Sequence, residues 1–271
     1  MMSQVEGELR KPRLARLFRG SSGRTLIVPL DHSVSSGPIA PGAELDALVG
    51  AVTASGADAV VLHKGTASHI DPRRFLSAGL IVHLSAGTDL APDSDDKYWV
   101  TTVEEALRLH ADAVSVHVNL GSETEARQVA TLARVARSCE KWRMPLLAMV
   151  YPRGPRIVHP DDPALLAHAA TLASDLGADL VKIPFVRSWE IMSQIVTSCP
   201  IPVLAAGGRR LSDDAELLAY AREVHRSGAA GMAIGRNLFE RSDIPAMTSR
   251  IAAILHGAPA SRPALVSRAV G

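Results

Sequence analysis

Eight short apolar runs, each four to six residues long, limit what this chain can fold into. They lie at residues 25–30, 59–62, 80–84, 113–118, 146–150, 180–183, 203–206 and 231–234. Runs that are apolar throughout read as strands buried on both faces, the pattern of a parallel sheet covered by helices. Segments of helical character alternate with them: 43–55, around 72–77, from Thr102, 122–140, from Asp162-Pro163, 189–198, 213–227 and 244–256. Thr102 with early Glu104 and Glu105, and Pro163 after Asp162, are residue choices that helix starts prefer. No composition break marks a linker, and 271 residues at 47% hydrophobic suffice for one large core. Eight βα units in a single domain close into a (β/α)8 TIM barrel. A doubly wound open sheet is the alternative, but no GxGxxG follows the first run. The expected layout is a short, polar, helical N-terminal arm (1–24), the barrel (25–257) and a loose Pro/Ala-rich tail (258–271).

Composition excludes several classes of partner. With 29 basic and 28 acidic side chains the formal net charge is +1, which favours neither nucleic acid nor a membrane surface. Aromatic residues make up only 4%, too few for a base-stacking platform. Residues 1–20 are charged and Arg-rich without an apolar centre, so they do not read as a secretory signal. Cys139 and Cys199 make no disulfide framework, and a cytoplasmic location is expected. Both thiols fall on helices and read as inert core groups.

Lysine occurs only at positions 11, 64, 97, 141 and 182. Lys182 stands inside the run Leu180-Val181-Lys182-Ile183. Lysine is rarely buried without a partner or a task, and burial favours the neutral, nucleophilic amine. Two readings stay open for it, a structural ion pair or a Schiff-base nucleophile. In a barrel, chemistry gathers where strands end at the C-terminal mouth. Reading those ends in order gives Asp31-His32, His63-Lys64, His83, His117 with Asn119, Tyr151, Lys182, Gly207-Gly208 and Gly235-Arg236. Gly207, Gly208, Gly235 and Arg236 follow strands seven and eight, where barrels commonly hold a phosphate on backbone N–H groups and a charged fork. Four histidines at strand ends admit a metal as the alternative electrophile, although no HxH or HExxH spacing is present. Lys64 lies beyond its run and reads as an exposed anion-binding or ion-pair residue. The polar stretch 85–99 is long enough to be a functional lid.

Several segments together resemble the DeoC/FbaB-like class I aldolases: Pro29-Leu30-Asp31-His32-Ser33, Leu62-His63-Lys64-Gly65 and His117-Val118-Asn119-Leu120-Gly121-Ser122. So do Tyr151-Pro152-Arg153-Gly154, Val181-Lys182, Ala206-Gly207-Gly208 and Gly235-Arg236-Asn237. The likeness runs from about Arg24 to His256 and is strongest to the branch that builds seven-carbon amino-keto acids. It implies that Lys182 forms the imine, that Asp31 and Tyr151 handle protons, and that the glycine turns with Arg236 hold phosphate. It implies no metal or other cofactor. The substrates it implies are a phosphorylated ketone, dihydroxyacetone phosphate, and an amino-aldehyde, L-aspartate 4-semialdehyde. The assembly it implies is a homo-oligomer, a pentamer or decamer. His32, His63, Lys64, His117, Asn119, Arg153 and Arg187 are its further substrate-binding candidates, with Arg187 facing the charged groups of the amino-aldehyde. Two segments depart from the family pattern: Ser33 replaces the usual Gly, and 183–188 replaces the usual Thr-x-Tyr segment. Alternatives within the resemblance are transaldol exchange from a phosphorylated deoxyketohexose and fructose-bisphosphate cleavage. Outside it stands a non-catalytic sugar-phosphate-binding protein.

Overall fold

The computed structural model describes residues 11–19, 21–40, 42–186, 188–208, 210–211 and 213–257. The eight apolar runs form parallel strands: β1 Thr25–Pro29, β2 Ala59–His63, β3 Gly79–His83, β4 Ala113–Leu120, β5 Leu146–Pro152, β6 Leu180–Ile183, β7 Val203–Ala206 and β8 Gly231–Ala233. They close in the cyclic order β1-β8-β7-β6-β5-β4-β3-β2, so each strand pairs with its sequence neighbours and β1 pairs with β8. The fold is the expected (β/α)8 barrel. Glycine is required where β8 meets β1: Gly231 has φ +148°, and a Cβ there would lie 1.9 Å from the Thr25 carbonyl oxygen.

Both faces of every strand are packed, which is why the sequence shows no alternation. The outward residues, such as Val28, Val60, Val82, Val116, Val181 and Val203, face the helices in one large core. The inward residues, including Ile27, Val61, Ile81, Leu147, Leu180 and Leu204, fill the barrel as a second cluster. At the C-terminal ends of β2 to β6 the same inward positions become polar: His63, His83, His117, Tyr151 and Lys182.

The surrounding helices start where their caps dictate. The Thr102 hydroxyl accepts from the Glu105 N–H while the Glu105 carboxylate accepts from the Thr102 N–H, a complete capping box for the helix Val103–Arg108. The Asp162, Asp213 and Asp243 side chains cap Pro163–Asp175, Asp214–Arg226 and Ile244–His256. Two local expectations differ from the structure. The helix expected around 72–77 is a 3-10 turn, Pro72–Phe75, capped by Asp71, with Leu76 left 80% exposed. The β2–β3 connection is too short for a packed α-helix once Lys64–Ala67 has used its first turn. The N-terminal arm, as far as it is described, is likewise a 3-10 turn, Pro12–Arg16, rather than an α-helix.

That arm is a stopper. Leu14, Leu17 and Phe18 are at most 7% exposed and join the barrel's inner cluster from below. Beside them Lys11, 6% exposed, donates to the Asp179 carboxylate at 2.8 Å and to the Met144 carbonyl at 3.0 Å. At the opposite mouth the long segment after β3 is a folded flap. Its ends pair antiparallel, Ser85–Ala86 with Tyr98–Trp99. Its middle is tied down by Ser35 Oγ donating to the Gly87 carbonyl at 2.9 Å and by Asn119 Nδ2 donating to the Asp95 carbonyl at 2.8 Å. Among the described residues no helix is long and apolar enough to cross a membrane.

Candidate active site

The C-terminal mouth opens into a cleft of about 830 Å³, in the size range of small-molecule sites. Lys182 stands on its floor. Pairing with Met149 on β5 and Leu204 on β7 fixes the register of β6, and that register turns the lysine inward. The residue is 7% exposed. Among the described residues its ammonium makes no hydrogen bond or ion pair. The Tyr151 ring centroid lies 5.9 Å from its Nζ.

Asp31 follows β1 and lines the same floor. Burial alone would raise its carboxyl, but the fields of His83, Lys182 and His63 outweigh that and hold it below the usual carboxylate range. His83 Nε2 lies 3.7 Å from Asp31 Oδ2. The other ring nitrogen is 2.7 Å from Ser115 Oγ, and Ser85 Oγ is 3.2 Å from Nε2. Burial drives His83 down to about 4, against the pull of Asp31, so the ring is neutral at pH 7. His63 packs edge-on to His83 at 5.3 Å and is also lowered by burial.

Tyr151 is held between two neighbours. The His117 ring lies 4.9 Å away on one side, and Arg153 sits over the phenol ring at 5.7 Å. His117 Nε2 is 2.8 Å from Asn119 Oδ1, so it donates to the carboxamide and carries its proton there. Burial, reinforced by His83 and Lys97, pushes His117 down to about 3. Asn119 is fully buried; it does not line the cleft but orients His117 and anchors the flap.

Gly207, Gly208, Gly235 and Arg236 all line the cleft at the β7–β8 wall. Gly208 has φ +65°, open to glycine with little strain, and a Cβ on Gly235 would meet the Pro29 carbonyl at 2.6 Å. Asn237 ties the two turns together by donating to the Gly207 carbonyl at 2.8 Å and accepting from the Leu211 N–H at 2.7 Å. His32 stacks on Phe239 at 5.0 Å beside Arg236.

The structure therefore brings together Lys182, Tyr151, Asp31, His32, His63, His117, Arg153 and the four phosphate candidates around one cleft. Lys64 stands apart: it is half-exposed and paired with Glu105 at 2.7 Å, outside the cleft. Arg187 lies outside the described residues. Lys97, on the flap, lines the cleft although nothing in its polar surroundings marked it in the sequence. Among the described residues, no three His, Cys, Asp or Glu side chains converge as a metal-ligand set.

A buried lone amine flanked by a carboxylate and a phenol suits carbonyl chemistry, and the relatives agree with it. The chain is 51% identical over 247 residues, 91% of its length and 90% of the relative's, to a 2-amino-4,5-dihydroxy-6-oxo-7-(phosphonooxy)heptanoate synthase of Streptomyces griseus. It is 42% identical, over 91% of its length and 89% of the relative's, to a 2-amino-3,7-dideoxy-D-threo-hept-6-ulosonate synthase of Archaeoglobus fulgidus. Among solved structures, an archaeal fructose-1,6-bisphosphate aldolase with its catalytic Lys covalently bound to a carbinolamine intermediate superposes with a TM-score of 0.83. That match has 30% identity and covers 90% of this chain and 98% of the other. Residues 25–241, nearly the whole barrel, match the DeoC/LacD aldolases. An inward strand lysine, a barrel built around it and kinship at this level lead to one conclusion: the chain belongs to the DeoC/LacD family of aldolases and is a class I aldolase.

Proposed function

We propose that this enzyme uses Lys182 as a Schiff base to join dihydroxyacetone phosphate to L-aspartate 4-semialdehyde. The product is a seven-carbon 2-amino-oxo-acid phosphate for aromatic (aminohydroxybenzoate-type) biosynthesis. The observation that carries this reading is the Lys182 amine, 7% exposed on the cleft floor and without a hydrogen bond or ion pair among the described residues. A structural lysine recovers the several kcal/mol that burying its charge costs through hydrogen bonds and an ion pair, as Lys11 does with Asp179 and the Met144 carbonyl.

The Lys182 amine attacks the ketone carbon and gives a carbinolamine. Protonation of its hydroxyl by the Tyr151 phenol releases water and leaves an iminium ion, the electron sink for the next step. Asp31, ionised at neutral pH, steadies that cation and accepts the proton from the adjacent carbon as the enamine forms. The enamine carbon then bonds to the aldehyde carbon, the alkoxide takes a proton, and water hydrolyses the iminium to free product and lysine. The β7–β8 turns with Arg236 receive the donor phosphate, on the side of β6 that faces β7. The 51% identity to the S. griseus heptanoate synthase supports this pair of substrates over the alternatives. A homo-oligomer belongs to the same reading, and sedimentation of the full chain tests it.

The test is a mass-spectrometric product assay offering dihydroxyacetone phosphate with aspartate semialdehyde or with glyceraldehyde 3-phosphate, alongside borohydride trapping. The reading requires an adduct on Lys182 and the seven-carbon product. Product only with glyceraldehyde 3-phosphate would assign fructose-bisphosphate chemistry. No adduct, with activity lost to a chelator, would replace the imine by a metal.

A further inference from the structure

Lys97 is the second buried lysine that lines the cleft. It is 8% exposed, rides on the flap, and packs so closely over Gly87 that a Cβ there would lie 2.7 Å from Nζ. An ammonium has three donors. Among the described residues Lys97 uses one, to the Ser94 carbonyl at 2.9 Å. Arg153 stands nearby, and its guanidinium makes no hydrogen bond to a described residue; its approach to Asp95, 3.9 Å, is a loose ion pair. The charged groups acting on Lys97 are Arg153, Asp95, Asp89 and Asp96. Asp96 is engaged elsewhere, by Arg127 and Thr124. Two cations and two carboxylates, Lys97, Arg153, Asp89 and Asp95, thus face the cleft together.

This composition differs from that of the opposite wall. A second phosphate dianion would meet two carboxylates here, with Asp161 a third along the cleft lining. A zwitterion fits, because each of its charges finds an opposite partner. Position agrees as well. The flap follows β3, and the phosphate turns follow β7 and β8; in the closed ring β3 and β7 are four strands apart in either direction. The two sites lie on opposing walls, with Lys182 on β6 between them.

We propose that the flap carries a zwitterion-binding site that selects the acceptor. Lys97 and Arg153 hold the carboxylate, and Asp95 with Asp89 holds the ammonium, of an α-amino acid head group. The inference rests on the proposed function and specifies how the amino-aldehyde is recognised. It moves that task from Arg187 to the flap.

The experiment measures kcat and KM with dihydroxyacetone phosphate against three aldehydes: aspartate semialdehyde, 3-aminopropanal, which lacks the carboxylate, and 4-oxobutanoate, which lacks the amine. Lys97→Met should raise KM for aspartate semialdehyde about 30-fold or more, the usual scale for orphaning a buried charge partner. Its preference over 3-aminopropanal should collapse, and Lys97→Arg should restore part of it. Asp95→Asn should instead erase the preference over 4-oxobutanoate. Borohydride trapping on each variant reports whether the donor half-reaction survives. A trapped adduct with both preferences unchanged overturns the zwitterion site alone. No adduct in the unaltered protein overturns the proposed function itself. Should Lys97→Met form no adduct, Asp95→Asn decides by its own ratio, the preference over 4-oxobutanoate.

Discussion

Lys11 at the bottom of the barrel and Lys182 at its top are both buried, and the two are accommodated differently. At the bottom, Lys11 is 6% exposed and spends its charge on Asp179 and the Met144 carbonyl. At the top, Lys182 is 7% exposed and has neither kind of partner among the described residues. Burial is therefore no guide to function by itself; the guide is whether the charge is answered. The bottom is closed by Leu14, Leu17 and Phe18, whereas the top is an open cleft. One end gives its buried cation polar partners, and the other leaves an amine on the floor of a cleft.

The largest expected effect separates the two lysines outright. Lys182→Met should lower turnover by more than about a thousandfold, while its melting temperature shifts only slightly, because no hydrogen bond or ion pair among the described residues is lost and only the field between Lys182 and the Asp31 carboxylate goes. A melting temperature that drops steeply would mean the lysine is a structural partner after all. At the other mouth, Lys11→Met should cost about 1–3 kcal/mol in urea unfolding, since the partly buried Asp179 carboxylate would keep only the Leu146 N–H as a partner. Its kcat should not change; a matching loss of turnover would break the division between the ends.

A smaller effect is expected at the rim. Arg236→Ala should raise KM for dihydroxyacetone phosphate roughly tenfold, the worth of one charge-assisted hydrogen bond. The same change should leave KM for the unphosphorylated ketone in place, and equal rises would remove Arg236 from the phosphate site. The mildest test is by pH. His83 titrates at about 4 and His117 at about 3 in the fold, against 6.5 for an unperturbed ring. Between those values the unfolded chain binds more protons, so stability should fall as pH drops from 6.5 toward 4. Replacing both rings by Asn should flatten that slope in a series of thermal melts. An unchanged slope would place its origin away from the top mouth.

Strand positions and the residues at their ends were legible because apolar runs and glycine turns leave local marks. The tilt of each side chain was not. With both sheet faces buried, Val181 and Leu180 look alike in sequence, and only pairing with β5 and β7 reveals that Lys182 faces inward. Lys97 was illegible for the opposite reason: it sits among Asp93, Ser94, Asp95 and Asp96, where any cation reads as solvated. Its burial depends on Gly87 and on the contacts that tie the flap down. The arm misled through its many arginines, which hide the three apolar residues that enter the barrel. Pro72 showed that a turn starts there but not that too little chain follows it for a helix.

Clamped between Met149 and Leu204, the amine of Lys182 depends on the phase of its strand. One extra residue in the turn Gly177-Ala178-Asp179 would rotate the strand by half a period, present Val181 to the cleft and bury the amine among the helices. The chain can lengthen its flap and change what docks there without disturbing that phase. Lineages that diversify on this scaffold should therefore vary in length above the mouth, while the approach to β6 keeps its residue count.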